Sequence, residues 1–324
     1  MRAAICREYG APDVVQVDDV PAPALGAGQV RVRVHAAAVN FPDVLIVADR
    51  YQVSVAPPFV PGSEFAGVVM ETADDVASPP PGTRVFGATL AGAFGEEVVV
   101  AAASLNLVPH SVDDRHAAAF GVAHSTAYHV LRSFAALQPG EELIVLGAGG
   151  GVGLAAVQLG AVMGANVTAV ASSQEKLAVA GQYGATNLVD HRAGSLRDGV
   201  RAVLPGGGDV VIDPVGGDLS EPALRSMRWG GRFVTVGYAA GVIPKIPLNL
   251  VLLKGVHVLG FQMIDFMTHR PDELARNQRE LLELFATGQA TPHIGATFAL
   301  ADVAAALQYV ADGRAIGKVV LDIA

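Results

Sequence analysis

Cysteine is almost missing: Cys6 is the single one in 324 residues. That excludes an intrachain disulfide and any multi-cysteine zinc site, and it points to a reducing compartment. Charge is also scarce, at 16% of residues, and basic residues are the minority, with 22 Lys and Arg against 31 Asp and Glu for a net charge of −9. A chain so poor in cations has no footprint for a nucleic-acid backbone, so no nucleic acid is expected as a partner, whereas a small anionic cofactor needs only a local site. Long uninterrupted apolar runs are missing too. Arg2, Arg7 and Glu8 break any signal-peptide core, and Lys245, Asn249 and Lys254 interrupt the most apolar late stretch. Neither a membrane span nor an export signal is expected, and the chain reads as cytoplasmic. What is abundant is apolar residue, 51% of the chain. That composition suits a packed protein, and the length exceeds the ~250–300 residues at which single cores stop growing, which argues for two domains.

The stretch that organises the rest is LIVLGAGGGVGLAAVQLGAVMG, Leu143 to Gly164. A short apolar run breaks into glycines and resumes as an Ala/Val/Leu-rich helical pattern, the signature of a buried parallel strand turning into a helix. Glycines there let backbone approach a pyrophosphate, and the free N–H groups and dipole of the helix start favour an anion. The literal GxGxxG fingerprint is absent; the frame ending at Gly153 reads Ala148-x-Gly150-x-x-Gly153. Context supports a dinucleotide site, because strands near Leu143, Val167, Leu188, Val210, Phe233 and Val256 alternate with helical segments. Six such strands make a doubly wound parallel sheet.

Before it, residues 1 to about 107 read as short strands and turns, with QVRVRVH at Gln29 to His35 alternating clearly. Ser111 to Leu137 reads as two helical segments with Ser111 a candidate cap. After Phe261 come an amphipathic stretch (Asp272 to Thr287), a strand (Ala296 to Ala299), a helix (Asp302 to Asp312) and a last strand, Lys318 to Ile323. The simplest arrangement returns this tail to the first domain, leaving the sheet inserted and a cleft between the two.

The second sheet strand ends Ala171-Ser172-Ser173, with Lys176 beyond and no acid. NAD-specific folds usually place a carboxylate there for the ribose hydroxyls, and it would repel a 2′-phosphate. Two hydroxyls and an ammonium within one helical turn form a phosphate site instead, with His191 and Arg192 after the next strand as further donors, so NADPH is expected over NADH. Ser172-x-x-Glu175 also reads as a capping box, and the two readings are compatible.

Val39-Asn40-Phe41-Pro42-Asp43-Val44-Leu45, Tyr51, Pro57 to Gly67, the glycine turn, Asp213-Pro214-Val215-Gly216-Gly217 and the closing Gly317-Lys318-Val319-Val320-Leu321 follow one another in order. Together they resemble the zinc-independent quinone oxidoreductase branch of the medium-chain dehydrogenase/reductase superfamily. The resemblance implies an α/β fold: a doubly wound parallel Rossmann sheet, residues 122–264, inserted into a β-rich GroES-like catalytic domain, residues 1–121 and 265–324. It implies Asn40, Asp43 and Tyr51 as catalytic residues and Phe41, Thr126 and His129 toward the cofactor. Gly150, Gly151 and Val152 would meet the pyrophosphate, Ser172, Ser173, Lys176, His191 and Arg314 the adenosine phosphate, and Gly237 and Phe261 the nicotinamide. Zinc-dependent members carry a cysteine at the position of Asn40 and a histidine at that of Ser63. Neither is present, and His35, Glu64 and His124 match no compact ligand motif, so no metal is expected.

Without a Lewis acid, the acceptor must take hydride unaided. The implied activity is NADPH-dependent reduction of quinones or related α,β-unsaturated carbonyls. Reduction of enoyl or acryloyl thioesters on the same scaffold, or a nucleotide-binding structural or nucleic-acid-binding role without turnover, are the alternatives. A homodimer is implied as well, with Leu248 to Gly260 as a strand edge for pairing or, equally, as a buried strand.

Overall fold

The computed structural model describes residues 1–323. They form two compact units, one of residues 1–122 with 291–323 and one of residues 123–290. The first unit is β-rich. Its strands β1 (Arg2–Cys6) and β2 (Val15–Asp19) pair as a small antiparallel ribbon; β3 (Gln29–Val39), helix α1 (Phe41–Val47), β4 (Glu64–Thr72), β5 (Arg84–Ala88), β6 (Glu97–Ala101) and β7 (Leu105–Leu107) follow. Helix α2 (Asp114–His129) carries the chain into the second unit. The alternation read in QVRVRVH has a plain physical basis: Val30, Val32 and Val34 are fully buried while the residues between them face outward or are half-covered. β3 is also the strand on which β4, β6 and the C-terminal strand all pair antiparallel.

The second unit is the alternating one. Its strands are β8 (Glu142–Leu146), β9 (Asn166–Ala171), β10 (Asn187–Asp190), β11 (Gly208–Asp213), β12 (Met227–Thr235) and β13 (His257–Gly260). They lie in the order β10-β9-β8-β11-β12-β13, every pair parallel. The order reverses between β9 and β11 around β8, so the loop after β8 opens at the switch point where such sheets bind ligands. Helices α3 (Gly151–Val162), α4 (Gln174–Gln182), α5 (Leu196–Val203), α6 (Ser220–Arg225), α7 (Leu248–Lys254), α8 (Met263–His269) and α9 (Pro271–Ala286) connect and follow the strands. The chain then returns to the first unit with β14 (Ile294–Ala299), α10 (Val303–Ala311) and β15 (Lys318–Asp322).

Three expectations need correction. The second boundary falls at 290/291 and not at 264/265: α8 and α9 stay with the sheet unit because Tyr128 donates to Glu280 (2.7 Å), Asn277 donates to His129 (3.1 Å), and Phe266 packs against Phe134 and Phe261. The stretch from 111 to 137 holds one helix, α2, continued by a wide π turn over Val130–Phe134, and its start is capped by Asp113, whose carboxylate accepts from the His116 N–H at 2.9 Å, not by Ser111. Leu248–Lys254 is a helix closed by Gly255 at φ +58, so only His257–Gly260 forms strand, at the sheet edge.

Candidate functional site

β8 ends against Gly147, at φ +61, where a side chain would meet Val215. Gly153, one turn into α3, lies so close to that bend that an added Cβ would stand 2.1 Å from the Gly147 carbonyl oxygen. The helix is thus drawn tightly onto the turn, a packing only glycine permits. Gly150 is the N-cap of α3 and no side chain caps the helix, so the first-turn N–H groups, those of Gly151 and Val152 included, meet no side-chain acceptor. A Cβ on Gly150 would touch nothing nearer than 3.5 Å, which leaves open space before the helix start. Uncapped amides, the positive helix end and open space together fit a pyrophosphate.

The neighbouring strand ends supply cations. Ser173 caps α4, its Oγ accepting from the Lys176 N–H at 3.3 Å, so the cap lies one residue beyond the Ser172-x-x-Glu175 box expected, and N3 is Lys176 rather than an acid. The Lys176 stem covers Gly149, where a Cβ would be 2.6 Å from its carbons. Burial, then the nearby Arg192 guanidinium, lower the Lys176 pKa; burial and Arg192 lower that of His191, with Lys176 adding to it. Lys176, His191 and Arg192 therefore gather where β9 and β10 end, beside Ser172 and Ser173, and their mutual repulsion is offset in part by Glu175 and Asp190. An anion placed among them would relieve that repulsion. Asp213, the acid of the next strand end, is consumed structurally: it accepts from the N–H groups of Val215 and Gly216 and from the Ser220 hydroxyl.

In the first unit a second cluster is built at the start of α1. Asn40 is its N-cap, and the Asp43 carboxylate accepts the Asn40 N–H at 2.7 Å. The Asn40 amide is committed at both ends: Nδ2 donates to Glu64 (2.9 Å) and Ser63 (3.2 Å), and Oδ1 accepts from Lys318. Glu64 also accepts from Lys318 at 2.5 Å and from the Val122 N–H at 2.8 Å. All five side chains are buried, and Asp43 Oδ1 accepts no hydrogen bond. Burial raises the Asp43 pKa to about 7 against the opposing pull of the Asn40 N–H, Ser63 and Lys318, with Glu64 raising it further. Tyr51 is half-buried near Asp43, and its pKa is raised by burial first and that carboxylate second. Phe41 opens α1, half-exposed. An amide, a hydroxyl and a carboxylate already paired with an ammonium do not fit zinc, which prefers thiolate and imidazole ligands and would be repelled by Lys318.

The remaining expected residues are placed each within its own unit. Thr126 is half-buried on α2, and His129 is wholly buried; its Nδ1 accepts from Asn277, so the ring proton sits on Nε2, which has no partner. Burial lowers the His129 pKa to about 4, so the ring is a neutral donor. Gly237 follows β12, its N–H reaching the Asp213 carbonyl at 3.4 Å. The Phe261 ring is engaged with Phe134, centroids 5.1 Å apart, leaving little more than backbone for a ligand. Arg314 belongs to the first unit, its guanidinium 4.6 Å from the centre of the Tyr309 ring, whereas the cations gathered at β9 and β10 belong to the second. Ser63 and Glu64 were weighed in the sequence only as metal-ligand positions, and Lys318 and Asn277 were not singled out as site residues. For Lys318 the available signal was a lysine opening the apolar Val319-Val320-Leu321 run.

Comparison with known proteins fits this geometry. Residues 26–110 match the alcohol dehydrogenase GroES-like domain and residues 151–280 the zinc-binding dehydrogenase domain. The chain is 38% identical to the quinone oxidoreductase-like protein 2 homolog of Nematostella vectensis, covering 99% of this chain and 88% of that protein. It is likewise 38% identical to quinone oxidoreductase-like protein 2 of Bos taurus, covering 99% and 92%. Among solved structures, the quinone oxidoreductase of Thermus thermophilus, determined also as its complex with NADPH, superimposes with a TM-score of 0.87 at 31% identity over all of both chains. A parallel nucleotide-type sheet, a β-rich GroES-like unit and full-length relatives agree: the chain is an oxidoreductase of the quinone-oxidoreductase type in the medium-chain dehydrogenase/reductase superfamily.

Proposed function

We propose that the chain is an NADPH-dependent, zinc-independent reductase of quinones or related α,β-unsaturated carbonyls. The observation that carries this reading is the uncapped glycine start of α3 beside Lys176, His191 and Arg192, with no acid at the end of β9. Bound NADPH supplies the hydride. The chain's own part is to hold the pyrophosphate on the α3 amides and the 2′-phosphate among Ser172, Ser173, Lys176 and His191, which orients the nucleotide. Zinc plays no part, because Lys318 already neutralises Glu64 where a metal would compete for it.

The test is titration with NADPH and NADH, followed by fluorescence. Wild type should bind NADPH at least tenfold more tightly, and Lys176→Ala should erase most of that preference, since one charge-assisted bond contributes about 1.5–3 kcal/mol. Equal affinities in wild type would overturn the cofactor assignment.

Two copies should pair through β13, an edge strand with Val258 exposed and the Leu252 and Leu253 side chains of α7 nearby in the chain and 80% and 72% exposed. A light-scattering mass of one chain at micromolar concentration would contradict this. Among the described residues no helix is long and apolar enough to cross a membrane.

A further inference from the structure

The base of the sheet unit, where β11 and β12 begin, lies at the opposite end of the parallel strands from the glycine turn, which follows the far end of β8. Three helices finish at this base. The Gly208 N–H donates to the Ser226 carbonyl, which sets the exit of α5 against the exit of α6. Lys254, the last residue of α7, donates through Nζ to the carbonyl of Met227, the next residue along. Leu196 and Val200 of α5, Leu224 of α6 and Leu250 of α7 join one buried cluster, so the three helices share a core.

Each helix brings a cation in its last turn: Arg201 in α5, Arg225 in α6 and Lys254 in α7. The carbonyl end of a helix favours a cation, which accounts for these three one at a time. Arg197 is different. It stands in the first turn of α5, where the helix dipole disfavours a cation, and four residues before Arg201, on the same side of the helix. Its Nε is enclosed and donates to nothing, a state that costs free energy unless an acceptor joins it. Of the four, Arg225 alone has a carboxylate, Glu221 at 2.7 Å; among the described residues Arg197, Arg201 and Lys254 have none, and Asp198 of α5 makes no ion pair. Arg228, further along, is spent on Asp209 at 3.0 Å. Burial lowers the Lys254 pKa, and Arg197, Arg201 and Arg225 lower it further with no carboxylate opposing them, so the four charges act on one another. In a chain of 31 Asp and Glu against 22 Lys and Arg, these cations meet with a single acid among them.

We propose that Arg197, Arg201 and Lys254 form a second anion site, at the base of the sheet unit, for the phosphate group of a small soluble molecule. Arg197 supplies the enclosed Nε–H, Arg201 and Lys254 supply further donors and charge, and Arg225 stays with Glu221. A phosphate suits three donors arriving from two helices, because its oxygens point in several directions and a guanidinium fork matches two of them. The glycine turn lies at the other end of the strands, so the two sites fill independently. The proposal does not depend on the reductase reading.

The experiment is equilibrium dialysis of the full chain against inorganic phosphate, with ionic strength held constant by chloride. It is run on wild type saturated with NADPH and on Lys176→Ala without nucleotide, so that the glycine turn is filled in one arm and weakened in the other. Both should bind one phosphate per chain, with a dissociation constant on the order of 1 mM or tighter. Arg197→Ala should weaken this about tenfold, the effect of losing one charge-assisted donor. Arg201→Ala, at an exposed position where folding is not at stake, should weaken it several-fold. Arg7→Ala removes the same charge from the first unit and should change it by less than about twofold, since distant exposed charges are screened. No phosphate bound in either arm would overturn the proposal, as would binding that Arg201→Ala leaves unchanged or that Arg7→Ala weakens equally. Retention of the chain on phosphatidylcholine vesicles containing phosphatidic acid, abolished by Arg201→Ala, would assign the phosphate to a lipid and overturn the soluble ligand.

Discussion

At the scale of single residues, burial decides what each polar group can do. Lys318 and Glu64 are 4% and 1% exposed and lie 254 positions apart in sequence, so neither partner advertises the other. Removing one leaves a charge stranded, which typically costs about 3–5 kcal/mol. Lys318→Met should therefore lose that order of stability in urea unfolding, and Lys318→Met with Glu64→Gln should recover a large part; an unaffected single variant would mean the pair is not desolvated. Two other buried groups drive stability in opposite directions with pH. Asp43, raised to about 7, contributes stability that is full below the ordinary aspartate value near 4 and is lost as pH rises through 7. His129, lowered to about 4, contributes stability that is full above the ordinary histidine value near 6.5 and is lost as pH falls through 4. The stability of Asp43→Asn relative to wild type should thus grow from pH 4 to 7 and then level, which unfolding midpoints at four pH values would show. A flat difference would place Asp43 ionised in the folded state throughout. Asn40 and Asp43 were named through the family resemblance alone, and their places at the N-cap and N3 of α1 follow from the fold. Their confinement by Lys318 was not legible, because no local pattern encodes a contact made across the whole chain.

At the scale of elements, the glycine turn makes two substitutions informative together. Gly153→Ala places a methyl against the Gly147 carbonyl and must push α3 off the turn, so it should destabilise the protein by about 1–3 kcal/mol and weaken NADPH binding as well. Gly150→Ala meets only ordinary contact at a backbone of φ −87 and ψ 173 that alanine adopts, so it should fold normally and weaken NADPH alone by filling the space before the helix. Equal unfolding midpoints for the two variants would refute the close-packing argument. The six strands of the sheet were readable because each is an apolar run set between turn signals, and α3 because it is apolar on every side and buries Leu154, Val157 and Leu159. The elements that misled were those whose apolar residues face outward. Leu248, Leu252 and Leu253 of α7 are exposed, so their hydrophobicity suggested strand or interior where the chain makes a short surface helix. α8 and α9 misled differently: helical character was visible in α9, but which unit it joins depends on Asn277 and Glu280 meeting His129 and Tyr128, contacts that helical periodicity does not specify.

At the scale of the whole molecule, a chain of net charge −9 concentrates lysine, histidine and arginine at the ends of β9 and β10 and buries a charge-neutral ion pair at α1. The first arrangement answers to a small phosphate-bearing cofactor and not to a polyanion. The second pairs the Glu64 carboxylate with the Lys318 ammonium in the interior. On the function proposed, this oxidoreductase works with NADPH and without a metal. The most direct measurement is NADPH oxidation with 1,4-naphthoquinone and 1-penten-3-one by protein exhaustively treated with a chelator, its metal content fixed by elemental analysis. Turnover undiminished at a few hundredths of a zinc per chain is the predicted result; turnover that vanishes on chelation and returns only with added zinc would contradict it.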